Sequence, residues 1–299
     1  MKKLSIIIIA TLVTAASAMA QKVNYLQITK PFKNDPVFKT PMQPVRSGAL
    51  LMPYITWAAD GVTIHANGGE NPNPASKLSR AAGVPVKLER QDDFNQQIAN
   101  YIAGKSPFLR GTMGMINLAA EGLTAINPDL EPMVIVQLSW STGADGFVAK
   151  GVNQLADLKG KTIVVQRNGP HMDLVFVLIQ DAGLKPSDVN VKYVADITLN
   201  PDNKTPGIND PAGAFRGDNT VDGAAAIYPD ILTLTAGGNV GTGAEDSVRG
   251  ARPILTTRTA SRVIADVYAV RRDWFLANQA KVNAIAKAIL DEQAIFSDY

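Results

Sequence analysis

Residues Asp157 to Ala182 read DLKGKTIVVQRNGPHMDLVFVLIQDA. The turn Asp157-Leu158-Lys159-Gly160 feeds Thr162 to Val165, an apolar run without polar alternation, as expected of a strand covered on both faces in a parallel sheet. Asn168-Gly169-Pro170 then reads as a helix start, with Asn or Gly at the cap and Pro in the first turn, where no backbone N–H is needed. Leu174, Val175, Leu178, Ile179 and Ala182 recur at helical spacing, and Gly183 supplies a left-handed stop. Beyond Pro186, Val189 to Val194 alternates as a second strand. This is one strand–helix–strand unit, whose first loop points helix N–H groups outward at the carboxyl end of a strand. Open α/β sheets bind ligands at that edge.

Outward from this unit the same alternation repeats. On the amino side a strand over 50–57 leads to a helix from Asp60 that ends by Gly68-Gly69, then a short helix over 76–82. A strand over 84–88, a helix over 92–103, a tight strand-to-helix junction over 109–115 and a strand over 133–138 follow. On the carboxyl side lie a strand from Phe147, a short helix near Ala212, strands over 223–228, 254–257 and 264–270, and a long amphipathic helix from Asp273 to about Phe296. Such alternation predicts two α/β units.

Residues 1–20 predict an export leader: Met1-Lys2-Lys3, an apolar core over 4–13, and Ala18-Met19-Ala20 as the cleavage pattern, so that cleavage falls after Ala20 and the mature chain is periplasmic. Residues 21–48 carry Pro31, Pro36, Pro41 and Pro44, spacing that suits an extended arm or linker rather than a packed element. A formal charge of +2, part of it in the leader, implies no nucleic-acid partner. Without cysteine there is no thiolate nucleophile and no disulfide framework, and two histidines do not make a histidine-based metal site. No cofactor motif is present either: Gly241-Thr242-Gly243-Ala244 lacks the third glycine of a dinucleotide fingerprint, and no P-loop lysine occurs. Gly-x-Ser-x-Gly is missing and the carboxylates show no acid/base spacing, which sets catalysis below binding.

Asp157-Leu158-Lys159-Gly160-Lys161, Asn168-Gly169-Pro170-His171, Ala182-Gly183-Leu184 and Asp188-Val189 in this order resemble the nitrate/taurine-type solute-binding proteins of bacterial ABC importers. Ala214-Phe215 with Val221-Asp222-Gly223-Ala224, and Ala269-Val270-Arg271-Arg272-Asp273-Trp274-Phe275, add to the resemblance, from which the arm over 21–48 departs by its length. The resemblance implies a type II periplasmic-binding fold: two α/β lobes, 49–139 plus 254–299 and 140–253, joined by two crossovers near 137–142 and 253–257. It further implies a monomer that holds a small polar solute in the cleft and passes it to an ABC permease in the inner membrane. The rival readings are a ligand-sensing or envelope scaffold domain and, on the same fold, a thiamine-pyrimidine-synthase-like enzyme.

That fold would place strand ends and helix starts at the cleft, which nominates Trp57, Asp60, Arg110, Gly111 and Thr112 in the first lobe. Trp140, Ser141 and Asp145 would stand at the crossover, and Asn168, His171, Tyr228 and Asp230 in the second lobe. The nomination leaves alternatives open. Trp57 suits a core position as well as a ligand wall, Asp60 suits a helix cap, and Arg110 suits either an anion or pairing with a carboxylate. Arg110 and the helix starts would take an anionic solute, whereas Asp60, Asp145 and Asp230 would take an amine.

Overall fold

The computed structural model describes residues 21–297; the leader expected over 1–20, with its cleavage site, lies outside them. Three hydrogen-bonded sheets form. Strand β1 (Leu50–Tyr54) pairs in parallel with β2 (Val86–Arg90). β3 (Phe108–Thr112), β10 (Ala265–Arg271) and β4 (Pro132–Trp140) form an antiparallel sheet in the order β3-β10-β4. β7 (Asn190–Val194), β6 (Thr162–Gln166), β8 (Gly223–Ile227), β5 (Asp145–Ala149) and β9 (Arg252–Thr256) form the third, in the order β7-β6-β8-β5-β9.

The first two sheets belong together. The Ser106 hydroxyl, just before β3, donates to the Leu51 carbonyl of β1, and the Tyr268 hydroxyl of β10 donates to the Pro53 carbonyl at 2.8 Å. One apolar core, with Met52, Leu88, Phe108, Val136, Tyr268 and Val270, runs across both. The first lobe therefore has strands in the order β2-β1, β3-β10-β4, and the second repeats it as β7-β6, β8-β5-β9. In each lobe the fourth strand of the row is antiparallel to its neighbours and comes from the far end of a crossover: β10 returns to the first lobe, and β5 enters the second.

The helices start and stop where local chemistry dictates. Ser76, Asp93 and Thr112 cap α2 (Lys77–Ala82), α3 (Phe94–Ile102) and α4 (Met113–Ile126) through their side-chain oxygens. Gly68 and Gly83 take the left-handed conformation that closes α1 (Asp60–Asn67) and α2. α5 (His171–Asp181) packs Leu174, Val175, Leu178 and Ile179 onto the second sheet, as their spacing predicts. α6 (Pro211–Gly217) and α7 (Tyr228–Leu234) follow, the latter an element the sequence reading did not anticipate. The long terminal helix is two, α8 (Arg272–Ala277) and α9 (Gln279–Ser297), broken at Asn278, whose side chain donates to the Trp274 carbonyl.

Two expectations change. Arg252–Thr256 pairs with β5, so the second crossover is the 257–264 segment and not 253–257, and Trp140 closes β4 of the first lobe. The 21–48 arm is packed, not a free linker. Its start bonds to the second lobe, Leu26 N–H to the Tyr193 carbonyl and the Tyr25 hydroxyl to Asp218 at 2.7 Å. Its second half lies on the first lobe, where Phe38 is buried in the α3–α4 core and the Gln43 N–H donates to the Ile102 carbonyl. Proline fits because the arm donates few ladder hydrogen bonds.

Candidate functional site

The crossovers run side by side through a buried polar junction. Ser141 opens the first and Thr257 the second, both fully buried, with their hydroxyls 2.8 Å apart. The Thr257 hydroxyl also accepts from the Gly143 N–H at 2.8 Å and the Asp145 N–H at 3.3 Å, and the Ser141 N–H donates to the Ile264 carbonyl. One hydroxyl thus satisfies the backbone of a strand that has just left the other lobe. Thr257→Val keeps the shape and removes these bonds. It is expected to cost about 1–3 kcal/mol, read as a lowered urea midpoint.

Asp145 begins β5 directly beyond that junction and meets His171 at the start of α5, with Asp145 Oδ1 2.7 Å from His171 Nε2. Burial pushes the Asp145 carboxyl up, but the hydrogen bond and charge of His171 outweigh it, and the carboxyl lies below its ordinary value. The carboxylate fixes the proton on Nε2, and His171 Nδ1, also buried, has no hydrogen-bond partner. Asp230 lies in the first turn of α7, at the carboxyl end of the strand paired with β6, and its Oδ2 is likewise buried without a partner. Burial raises its carboxyl, Thr198 and the His171 imidazole pulling against the rise and Asp210 adding to it. Tyr228, two residues earlier, is 46 % exposed at the same rim.

In the first lobe the geometry answers the question left open for Arg110. It is 0 % exposed, donates to both oxygens of Asp60 (2.6–3.2 Å) and to Asp266 Oδ1 at 2.9 Å, and turns its remaining contact to the Gly111 carbonyl. Arg110 is therefore drawn away from any solute, because Nε, Nη1 and Nη2 each donate to a buried acceptor. Asp60 does not cap α1: no side-chain bond reaches the helix start, and its oxygens are turned to Arg110. Ser139 carries the network on, donating to Asp266 Oδ2 at 3.1 Å and accepting from the Trp57 indole at 3.3 Å. Trp57 is half-buried and Trp140 is 39 % exposed at the end of β4. Thr112 caps α4 through the Met115 N–H, and Gly111 is buried in β3.

Asn168 also differs from expectation. It sits at φ +56°, in the left-handed region that Asn tolerates, and α5 begins after Pro170 with no side-chain cap. The cap reading of Asn168-Gly169 fails because the chain must reverse there before the helix can start.

The lobes also meet away from the crossovers. Arg90 pairs with Asp202, an exposed pair of small worth. The Asp173 carboxylate of α5 fills the space a Cβ on Gly114 would need, at the amino end of α4. Asp173 was missed by sequence reading, since it looks like any first-turn acid of an amphipathic helix. Asp266 was missed because it hides inside an apolar strand.

An apolar groove of about 210 Å³ lies elsewhere, between α5 and β7, lined by Met172, Val175, Phe176, Ile179, Val189 and Tyr193. No charged group lines it, so the convergence of polar side chains singles out the crossover junction. Among the described residues, no group of three or more His, Asp or Glu is placed to hold a metal ion.

By sequence, no family model and no curated protein matches the chain. By structure it is similar to the periplasmic aliphatic sulphonate binding protein SsuA from Escherichia coli, with a TM-score of 0.58 at 17% identity, over 85% of this chain and 75% of that one. The periplasmic nitrate-binding protein NrtA from Synechocystis PCC 6803 matches with a TM-score of 0.58 at 14% identity, over 84% of this chain and 63% of that one. The alkanesulfonate-binding protein SsuA from Xanthomonas axonopodis pv. citri, bound to MOPS, matches at 0.52 and 17% identity, over 85% and 81%. At these identities the likeness establishes the fold: two α/β lobes of the periplasmic-binding-protein type.

Proposed function

We propose that this chain is an exported solute-binding protein that captures a small polar solute between its lobes and delivers it to an ABC-type importer. The observation that carries the reading is the crossover junction. Two short segments join the lobes through one buried clasp, Ser141 with Thr257, and unpartnered polar atoms of His171 and Asp230 stand beside it. Structural neighbours with the same two-lobed fold are periplasmic binding proteins for sulphonate and nitrate. The lobes extend over 49–140 with 265–297 and over 145–256. The residues at the site are His171, Asp145 and Asp230 from the second lobe, and Trp57, Trp140 and Tyr228 as flat or exposed walls.

Closure follows from the solute touching both lobes, which favours the state where they meet. The Asp173–Gly114 and Arg90–Asp202 contacts would form in that state and open with it. A membrane permease would recognise the closed form. The protein acts as a monomer that binds its solute without transforming it.

Native mass spectrometry of protein purified gently from a periplasm tests this. A stoichiometric small-molecule adduct is the expected result. A mass that stays bare through a panel of sulfonates, nitrate, phosphate, amines and pyrimidines would overturn capture as the function.

A further inference from the structure

We infer that the solute presents a cationic, hydrogen-bond-donating group, an ammonium, amidinium or guanidinium, to Asp230 and the Asp145–His171 pair. The inference rests on the solute-capture reading and names the chemistry of the same site.

Three observations carry it. The first concerns the atoms left without partners. His171 is fully buried, its Nε2 is held by Asp145 at 2.7 Å, and its Nδ1 is free; Asp230 Oδ2 is free and buried. An ionised carboxylate oxygen can only accept, so the free Asp230 Oδ2 calls for a donor. Buried acceptors without donors cost free energy, and a donor-rich ligand removes the cost. Both residues lie just beyond the carboxyl ends of the paired strands β6 and β8.

The second observation is the loss of the opposing charge. Among the candidate residues Arg110 alone carries a fixed positive charge, and its donors end on Asp60, Asp266 and the Gly111 carbonyl. Arg110 is thus not left to grip an anion.

The third is Asp173. Its carboxylate occupies the amino end of α4 at Gly114, and the Thr112 side chain already takes the Met115 N–H. An anion directed at that helix start would meet a carboxylate instead of free amides. Asp145, Asp173 and Asp230 together give the region a negative potential that favours a cation and opposes a sulfonate. Exposed Arg216 and buried Asp210, which caps α6 through the Gly213 N–H, act on Asp230 with opposite signs.

The test is calorimetric titration of the purified protein with four probes at constant ionic strength: propylammonium, propylguanidinium, propanesulfonate and nitrate. The expected result is saturable binding of one or both cations and none of the anions. Asp230→Asn should weaken cation binding roughly thirtyfold or more without lowering the unliganded melting temperature, since it removes a charge that burial disfavours. Asp291→Asn, an equal charge change on exposed α9, should leave affinity unchanged. Binding of propanesulfonate or nitrate would overturn the cation assignment and leave solute capture standing. Equal cation affinity in Asp230→Asn, or equal weakening in Asp291→Asn, would remove Asp230 from the site. Failure of all four probes would overturn the inference, and the capture reading falls separately only if native mass spectrometry also finds no adduct.

Discussion

Arg110→Met lowers the stability of the protein by about 3–5 kcal/mol at pH 7, the loss expected when one partner of a buried ion pair is removed and the others stay charged. Arg110 stands between two carboxylates, Asp60 and Asp266, all three at 3 % exposure or less. Burial alone pushes both carboxyls above their ordinary values, with the guanidinium pulling against it. Burial likewise works against the Arg110 charge, but the two carboxylates outweigh it, and the guanidinium keeps its proton. In the variant the carboxylates lose that counter-charge. Their folded-state affinity for protons then rises further, so the folded protein gains stability as pH falls through those raised values, fully so below the unfolded value of about 3.9. The deficit against the natural protein is therefore largest at neutral pH and narrows towards about pH 5. Urea unfolding at the two pH values measures it, and adding Asp60→Asn and Asp266→Asn to the variant should recover much of the loss. A loss below about 1 kcal/mol, with solute binding abolished instead, would return Arg110 to the role of an anion grip.

This cluster also marks where reading the sequence stops. The alternation of strand and helix is local information, carried by apolar spacing and by Ser76, Asp93, Gly68, Gly83 and Gly183, and the elements form within a few residues of where those signals put them. The exchange of β5 and β10 between the lobes is legible only through resemblance, because no local signal says which sheet a strand will join. Side-chain partners are less legible still. Arg110 and Asp60 are 50 residues apart in the chain, and Arg110 and Asp266 are 156 apart. Nothing in either neighbourhood distinguishes a charge that grips a solute from one that ties α1 to β3 and β10. His171 and Asp145 are legible as polar residues at a helix start and a strand edge, yet their pairing is a property of the assembled sheet. The arm misled for a different reason. Its prolines exclude regular structure but do not exclude packing, and Phe32, Val37, Phe38 and Met42 among them are the apolar side chains that the first-lobe core takes up.

That docking sets up a second large effect, in which two rules give opposite signs for one substitution. Gly122 lies inside α4, where replacing glycine with alanine ordinarily favours the helix by about 1 kcal/mol. Here the Phe38 ring rests against the bare backbone, and a Cβ at Gly122 would stand 2.5–2.7 Å from three ring carbons. The ring cannot slide away freely, because Phe32 meets it edge-on at a centroid distance of 5.2 Å and the next turn of the arm is pinned. Gln43 bonds to the Ile102 carbonyl, its own carbonyl accepts from Arg271 Nη1 at 2.9 Å, and the Arg46 N–H donates to the Gly104 carbonyl. Gly122→Ala is therefore expected to destabilise by about 1–3 kcal/mol, as overpacking does, despite the better helix former. Phe38→Ala should cost about 3–5 kcal/mol by opening a cavity beneath the arm. In the double variant the two penalties should fall short of their sum, since alanine at 122 no longer has a ring to strike and its helix preference reappears. Urea unfolding of the four proteins supplies the cycle. A stabilising Gly122→Ala in the otherwise natural chain would mean that Phe38 does not lie on α4. The arm spans both lobes, from Tyr25 on Asp218 to Phe38 on Gly122, so loosening its second half also releases a third link between lobes that the crossovers alone would leave free to part. Limited proteolysis of the arm should accordingly speed up in Phe38→Ala, and cleavage between 27 and 31 should precede cleavage at the clasp of Ser141 with Thr257.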